Sequence, residues 1–333
     1  MACQTAPWAL PPWSWQNCLI CWCEPIAGLW VRSIMALTHS LNIAPAGPNF
    51  GDDAALVACA DQDAALCTLI GIEGSFSRRL GAQLAIGAQG VLAGSLADGC
   101  LENQLVTEAQ EARREGGPRL VRFGAGSPSI DFRLPCGSGL DIWVDPTPDR
   151  AACQHVAREL RARRPASLAL DLPADSAPHL LRQRDYIPAI KLILFGEGPE
   201  LTSLALLAEA SGIGCDIYSR DDPQRLSLGQ APVGAEADLW TAIILLFHDH
   251  EWEVPLLQWA LDTPAFLIGA QGGRIAREAR RDALASSGMS ANAINRTVSP
   301  IGLIPHSRDP QVLAVSVLAE VIAAYEAAYR RNG

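Results

Sequence analysis

Residues 190–200 read IKLILFGEGPE, and this stretch decides the fold of the C-terminal half. A short apolar run leads into the turn Gly196-Glu197-Gly198, and Leu201, Leu204 and Leu207 then recur at helical spacing. Such a strand, glycine turn and helix form the first unit of a Rossmann-like domain, whose backbone N–H groups and helix N-terminus favour an anion, usually phosphate. We therefore assign Gly196 and Gly198 to a cofactor site. The alternative is that the glycines only let the strand and helix pack.

Strand and helix patterns continue to alternate after this turn. The strands are predicted near residues 190–195, 215–219, 241–247 and 265–268. Helices are predicted to begin near Glu200, Val254 and Gly272, with a closing helix from Gln311 to about Arg330. This alternation is typical of a parallel doubly wound sheet, so residues 188–330 are predicted to form a Rossmann-like domain.

The preceding part of the chain has a different pattern. Strands are predicted at residues 65–73, 82–86, 91–94, 119–123 and 140–144, with an amphipathic helix at 100–115. Residues 50–148 are thus predicted to form a mixed α/β domain, and 149–187 a connecting helix and linker. The fold class is α/β, with two domains in a chain of 333 residues.

Residues 1–34 differ from the rest, with five of the nine Trp and only two formal charges, Glu24 and Arg32. They lack the basic region and unbroken apolar core of a signal peptide. The spacing of Cys18, Cys21 and Cys23 permits a metal site, but no second half-site follows. We interpret the segment as a non-native or disordered extension, with Met35 as the initiator.

Composition excludes several classes of protein. The 26 Lys and Arg against 36 Asp and Glu give a formal charge of -10, which argues against binding to nucleic acid or anionic membranes. No membrane span is expected, because no unbroken apolar run has the required length. The ten Cys are scattered through a long chain, so reduced thiols and a cytoplasmic location are expected.

Two cysteines lie at positions where a reactive or metal-binding thiol could form. Cys100 lies in the motif GCLE at the start of a predicted helix, whose dipole favours the thiolate, and Cys136 lies in the glycine-rich turn LPCGSG. A basic loop, SFSRRLG, carries Arg78 and Arg79 after the first strand. Each cysteine could instead be a small core residue.

The sequence FHDHE ends the strand predicted at 241–247. His248, Asp249 and His250 could form a metal site with Glu251, or act as hydrogen-bonding residues at the edge of the sheet that faces a ligand. We favour hydrogen bonding, and add Arg274, which begins a later helix, to the candidate cofactor-binding residues.

These motifs, in this order and together with IGA at residues 268–270, GR at 273–274 and PIGL at 300–303, resemble the XdhC/CoxI family of xanthine dehydrogenase accessory factors over residues 64–328. The resemblance implies a maturation chaperone rather than an enzyme. Such proteins bind molybdenum cofactor, as molybdopterin or its cytosine dinucleotide form, and assist its sulfuration with a cysteine desulfurase. They then insert it into an apo molybdenum hydroxylase of the xanthine, aldehyde or CO dehydrogenase type. The soft thiols of Cys100 and Cys136 would suit the molybdenum.

The alternative is an NAD(P)-dependent oxidoreductase. Asp221 is placed to accept a ribose hydroxyl, but Leu201 replaces the third glycine of the dinucleotide fingerprint and Glu197 and Glu200 bring negative charge to the turn, which argues against NAD(P). Apolar residues also occupy more than one face of the closing helix. We therefore hypothesise a homodimer contact there.

Overall fold

The computed structural model describes residues 51–96, 99–127 and 137–329, with the side chains of Cys100 and His250 outside the description. The predicted extension at 1–34 and the Cys18, Cys21, Cys23 cluster also lie outside the described residues.

An antiparallel five-stranded sheet organises the first half of the described chain, in the order β3-β2-β1-β5-β4. Its strands are β1 (Ala65–Glu73), β2 (Gln83–Gly87), β3 (Gly90–Gly94), β4 (Arg119–Gly124) and β5 (Gly139–Asp145). The central strand β1 is buried over its first seven residues, as its nearly continuous apolar run predicts. The five predicted strands are confirmed.

Three helices cover this sheet. On one face lies α2 (Gly99–Glu115), whose Leu101, Leu105 and Ala109 are buried against the sheet, as the helical spacing predicted. The other face is covered by α1 (Ala54–Asp61) and α3 (Arg150–Arg161), which pack on each other through small residues. The sequence analysis missed α1, an alanine-rich helix with no polar face to mark its period.

A two-stranded hairpin follows α3 and was also missed. Its strands, β6 (Ala166–Ala169) and β7 (Gln183–Tyr186), flank the proline-rich residues 173–178. The hairpin lies on the first sheet, since the Leu181 N–H donates to the Ile70 carbonyl at 2.9 Å and a buried cluster joins Ile70, Trp143 and Leu180.

A parallel five-stranded sheet organises the second half, in the order β12-β11-β10-β8-β9. Its strands are β8 (Lys191–Gly196), β9 (Gly214–Ser219), β10 (Thr241–Leu246), β11 (Leu267–Ala270) and β12 (Thr297–Val298). All four strand pairs are parallel, which confirms the predicted Rossmann-like sheet. The two-residue edge strand β12 was not predicted.

Helices cover both faces of this sheet, as expected for a doubly wound fold. One face carries α4 (Gly198–Ala210) and α8 (Pro310–Tyr329), and the other carries α5 (Glu253–Leu261) and α6 (Arg274–Ser286). A short 3-10 helix (His250–Trp252) precedes α5, and α7 (Ala291–Ile294) precedes β12.

The closing helix α8 is long and apolar enough to cross a membrane, with a mean hydropathy of 1.6 over its best 18 residues. Its Val317 and Val321 are fully buried against the parallel sheet, in a cluster that includes Leu194 and Ile244. This is the packing of a core helix, so the apolar sequence of α8 does not indicate a membrane span.

Candidate cofactor site

The loop at 74–82, the start of α2 and the described residues just before β5 lie at one edge of the antiparallel sheet. Strands β1, β3 and β4 all run toward this edge, and β5 starts from it, because the register pairs Glu73 with Gly139 and Gly124 with Gly139. The loop at 74–82 is linked there by hydrogen bonds to residue 95 before α2, through Arg78, and to Ser138 before β5. We call this edge the cysteine edge.

The start of α2 is held by a chain of hydrogen bonds. The Glu102 carboxylate accepts from the Leu96 N–H at 3.2 Å and from the Ser95 hydroxyl at 3.1 Å, while Arg78 Nη2 donates to Ser95 Oγ at 3.1 Å. These contacts tie the Arg78 guanidinium and residues 95 and 96 to the first turn of α2.

The second cysteine motif joins the cysteine edge through Ser138. Ser138 is buried, and its hydroxyl donates to the Ser75 carbonyl at 2.5 Å, while its own carbonyl accepts from the Ala125 N–H at 2.9 Å. Cys136 itself lies outside the described residues. The chain after it is therefore anchored to the loop that carries Arg78.

Arg79, unlike Arg78, forms an ion pair with a residue of the Rossmann-like half. Its Nη2 lies 2.5 Å from Glu326 Oε2 near the end of α8, and about half of its side chain is exposed. The ion pair joins the loop at 74–82 to the Rossmann-like half. The guanidinium of Arg79 is thus already neutralised by the protein.

The glycine turn lies at the point in the parallel sheet where the strand order reverses. β8 lies between β9, at the edge of the sheet, and β10, its central strand, so the order in which the strands are added reverses between β8 and β10. Ligands of open α/β sheets bind outside the carboxyl ends of the strands at such a point. Gly196 and Gly198 lie there, and Gly198 has a φ of 78° that favours glycine.

Two carboxylates change what this turn can bind. Glu197 pairs with Arg220 at 2.9 Å, so its charge is balanced. Glu200 is largely buried, with Oε1 at 3.5 Å from His248 Nε2, and its Oε2 is enclosed with no hydrogen-bond partner among the described residues. A carboxylate beside the turn repels phosphate, and a buried carboxylate oxygen without a hydrogen-bond donor is energetically costly. The turn therefore suits a ligand hydroxyl or amino group better than a bare phosphate.

The residues after β10 form an ordered turn. Phe247 stacks on Trp252 with centroids 5.9 Å apart, and its carbonyl accepts from Gln271 Nε2 at 2.9 Å. Asp249 Oδ1 accepts from the Glu251 N–H at 3.1 Å. His248 is exposed, and the side chain of His250 lies outside the description.

No group of three His, Cys, Asp or Glu side chains has metal-binding proximity among the described residues. Since the side chain of His250 lies outside the description, the choice between a metal site and hydrogen bonding to a ligand at this turn stays a prediction. Arg274 begins α6 at the same edge, is largely exposed, and pairs with Glu278 at 3.3 Å.

The ion pair between Arg79 and Glu326 lies on the side of the Rossmann-like half that is away from the glycine turn. Glu326, the partner of Arg79, follows Tyr325, whose hydroxyl donates to the Pro188 carbonyl just before β8 begins. This contact lies at the amino ends of the parallel strands, whereas the glycine turn lies at their carboxyl ends. Pro310 and Glu326 are 16 residues apart on α8, which corresponds to about 24 Å along the helix axis.

Sequence reasoning missed Ser95 and Glu102 as organisers of the Cys100 turn. The available signal was an acidic residue in the first turn of α2, where a carboxylate commonly satisfies free N–H groups. Glu200 was noted for its charge, but nothing in the sequence shows that one of its oxygens is enclosed without a partner.

Comparison with known proteins agrees with the ordered motifs. Residues 58–124 match the family described as XdhC and CoxI family, and residues 192–321 match the family described as XdhC Rossmann domain. A solved structure titled as a xanthine dehydrogenase from Bacillus halodurans superposes with a TM-score of 0.65 at 20% identity, covering 85% of this chain and 98% of the other. At this identity the likeness shows the fold alone.

A curated relative extends the match to most of the chain. The molybdenum cofactor insertion chaperone PaoD of Escherichia coli (strain K12) is 33% identical over 269 residues, which is 78% of this chain and 82% of the relative. The two family matches lie on the two sheets described above, and the relative spans both. The chain belongs to the XdhC and CoxI family.

Proposed function

We propose that this protein binds molybdenum cofactor as its cargo and inserts it into an apo molybdenum hydroxylase. The observation that carries the proposal is the 33% identity to a molybdenum cofactor insertion chaperone over 78% of the chain. The protein acts as a chaperone in this proposal, so it needs to hold and release the cofactor and has no reaction of its own to catalyse.

The cysteine edge is proposed to hold the molybdenum end of the cargo through Cys100 and Cys136. Thiolates are the soft ligands that molybdenum centres accept, and the start of α2 favours a thiolate. Burial raises the pKa of the Cys59 thiol to about 12 and that of the Cys153 thiol to about 11. Those thiols stay protonated in the folded protein, which makes them unsuited to this task.

The Rossmann-like half is proposed to bind the organic part of the cofactor. The Glu200 carboxylate, whose Oε1 lies 3.5 Å from Nε2 of the exposed His248, would accept from a hydroxyl or amino group of the pterin or of its cytosine dinucleotide extension. Gly196 and Gly198 allow close approach to the backbone, and His248, Asp249, His250 and Arg274 follow the neighbouring strands at the same edge.

A homodimer would reconcile the two parts of this site. Within one chain the cysteine edge meets the Rossmann-like half at the amino ends of its strands, on the side away from the glycine turn. A cofactor that contacts both regions would therefore be held between the cysteine edge of one protomer and the glycine turn of another. Arg78 would face the cargo, and Arg79 would act through its ion pair with Glu326.

The finer functional assignments are part of the same proposal. We propose a cytoplasmic protein that works with a cysteine desulfurase during sulfuration of the cofactor and delivers it to an enzyme of the xanthine, aldehyde or CO dehydrogenase type. Since the formal charge is -10, nucleic acid is not proposed as a partner.

The rival function is NAD(P)-dependent oxidation and reduction at the Rossmann-like half. The enclosed carboxylate at Glu200 and the buried Leu201 at the third glycine position both oppose pyrophosphate binding at the turn. Titration with NADH, followed by its fluorescence, is expected to show no saturable binding at micromolar concentrations. Tight NADH binding would favour the rival function.

Cofactor retention by cysteine variants tests the proposal. The protein is mixed with molybdenum cofactor, passed through gel filtration, and its molybdenum is measured by mass spectrometry. Wild type is expected to retain a stoichiometric amount, and the double variant Cys100→Ala, Cys136→Ala to lose most of it.

The matched control is Cys215→Ala, because this half-buried thiol in β9 also has a pKa raised by burial, to about 11, and lies outside the cysteine edge. It is expected to retain the cofactor. Full retention by the double variant would remove the thiol assignment, and no retention by wild type would remove the proposed function.

A further inference from the structure

A second recess lies in the Rossmann-like half, between α6 and the edge strand β12. It has a volume of about 160 Å³ and is lined by polar and basic side chains that include Arg277, Arg280, Arg281, Asn295, Thr297 and Ser299. Since β12 lies three strands from β8, the recess is about 14 Å from the glycine turn across the sheet. It is therefore separate from the proposed cofactor site.

Arg280 forms the fixed part of the lining. Its guanidinium pairs with Glu253 at 2.8 Å, and both side chains are almost completely buried. Arg280 Nη1 also donates to Ser299 Oγ at 2.6 Å, and Nη2 donates to the Gln271 carbonyl at 2.8 Å. This network holds the wall in place and leaves the charge of Arg280 balanced.

Arg277 and Arg281 provide the charge that is not balanced. Both are exposed, and neither forms an ion pair with another residue in the described part of the chain. In a protein with a formal charge of -10, two such guanidiniums at one recess form a local positive site. Guanidinium groups bind phosphate through two parallel N–H donors.

Thr297 gives an independent sign that a ligand is expected. Thr297 lines the recess, and its Oγ1 is enclosed by protein atoms with no hydrogen-bond partner among the described residues. An enclosed hydroxyl without a partner is costly, and rotation of this side chain toward an oxyanion in the recess would give the hydroxyl an acceptor. Asn295 adds an amide that can donate to the same ligand.

We propose that this recess binds a tetrahedral oxyanion, either inorganic phosphate or the phosphate group of a monoester. Two guanidiniums without an ion pair among the described residues, together with a hydroxyl and an amide, can donate to several oxygens of such a group. The recess, at about 160 Å³, has room for it. The small concave shape suits a compact anion better than an extended acidic peptide. The proposal does not depend on the chaperone function.

Isothermal titration of the full chain with inorganic phosphate, and separately with phenyl phosphate, tests the proposal. At least one of them is expected to bind saturably at one site per chain. The double variant Arg277→Ala, Arg281→Ala is expected to weaken this binding about tenfold or more, because it removes two charged donors. Thr297→Val, which keeps the shape of the side chain, is expected to weaken it several-fold.

The control is Arg161→Ala, which removes an exposed arginine at the end of α3 that does not line the recess. It is expected to bind like wild type, and circular dichroism checks that every variant is folded. The tighter of the two ligands identifies free phosphate or a monoester as the source. Absence of saturable binding to wild type, or equal binding by the double variant, would overturn the proposal.

Discussion

Gly196 lies closer to the next strand than a side chain would allow. A Cβ atom built on it would lie 2.6 Å from the carbonyl oxygen of Leu246, which is backbone and cannot move aside without distorting β10. The glycine is thus required by packing at the strand end, whatever the turn binds. The packing alternative for the turn and its use as a ligand site are compatible.

Replacing Gly196 by Ala is expected to lower the free energy of unfolding by about 1–3 kcal/mol, through overpacking. Urea denaturation measures this change. The control is Gly214→Ala at the start of β9, where an added Cβ meets no atom within 4 Å. It is expected to change stability by less than about 0.5 kcal/mol, and an equal effect of the two variants would show that the close approach is unimportant.

Cys59 illustrates how burial makes a thiol inert. Its pKa is raised to about 12, first by desolvation and then by the neighbouring Cys153 and Asp145. The folded state therefore keeps its proton at pH values where the unfolded chain has lost it. Stability is complete below the unfolded pKa of about 9, and declines as the pH rises toward the folded value.

The free energy of unfolding should thus fall above about pH 9, by up to about 1.4 kcal/mol per pH unit for this one thiol. Urea denaturation at pH 8.5, 9.5 and 10.5 measures the slope. Cys59→Ala is expected to show a shallower slope, even though the lost volume also lowers its stability at every pH. Parallel pH profiles for variant and wild type would show that Cys59 does not contribute.

At the level of elements, α8 joins the two halves of the described chain. Its buried face packs on the parallel sheet, while Tyr325 reaches the Pro188 carbonyl and Tyr329 reaches the Leu239 carbonyl. Both carbonyls lie just before strands of the sheet. The aromatic end of α8 therefore fixes where the chain enters the Rossmann-like half.

Tyr325→Phe is expected to lower the free energy of unfolding by about 1–2 kcal/mol, since it leaves the buried Pro188 carbonyl without its donor. Tyr329→Phe removes an equivalent bond in a more exposed place, where water can replace the donor, and is expected to cost less than about 0.5 kcal/mol. Thermal or urea unfolding compares the two. A larger loss for Tyr329→Phe would contradict this ranking.

Helices and strands with a clear pattern of apolar residues could be predicted from the sequence, and those without such a pattern could not. The long apolar run at β1 predicted a buried strand, and the leucine spacing of α2 predicted an amphipathic helix. The alanine-rich α1 has no polar face, and β12 has only two residues, so neither carries a periodic signal. The hairpin of β6 and β7 is held by contacts with Ile70, far away in sequence.

The same distinction applies to the candidate site. The positions of Gly196 and Gly198 follow from the strand and helix that flank them, and could be predicted. The enclosed oxygen of Glu200 and the bonds from Glu102 to residues 95 and 96 depend on how the loops fold back, which local sequence does not specify.

At the level of the whole molecule, the contact from the first half and the glycine turn lie at opposite ends of the strands of the Rossmann-like sheet. The Arg79–Glu326 contact joins the cysteine edge to the amino ends of the strands, while the glycine turn lies at the carboxyl ends. The proposed homodimer follows from this separation. It also gives the exposed Val312, Val315 and Ile322 of α8 a role in the contact between protomers.

Transfer of molybdenum from the loaded protein to an apo molybdenum hydroxylase tests the central proposal most directly. The loaded protein is freed of unbound cofactor, mixed with the apoenzyme, and separated from it, and the molybdenum in each fraction is measured. The proposed function predicts that most of the metal moves to the hydroxylase and that its activity appears in proportion. Molybdenum that stays with this protein, or an apoenzyme that remains inactive, would contradict it.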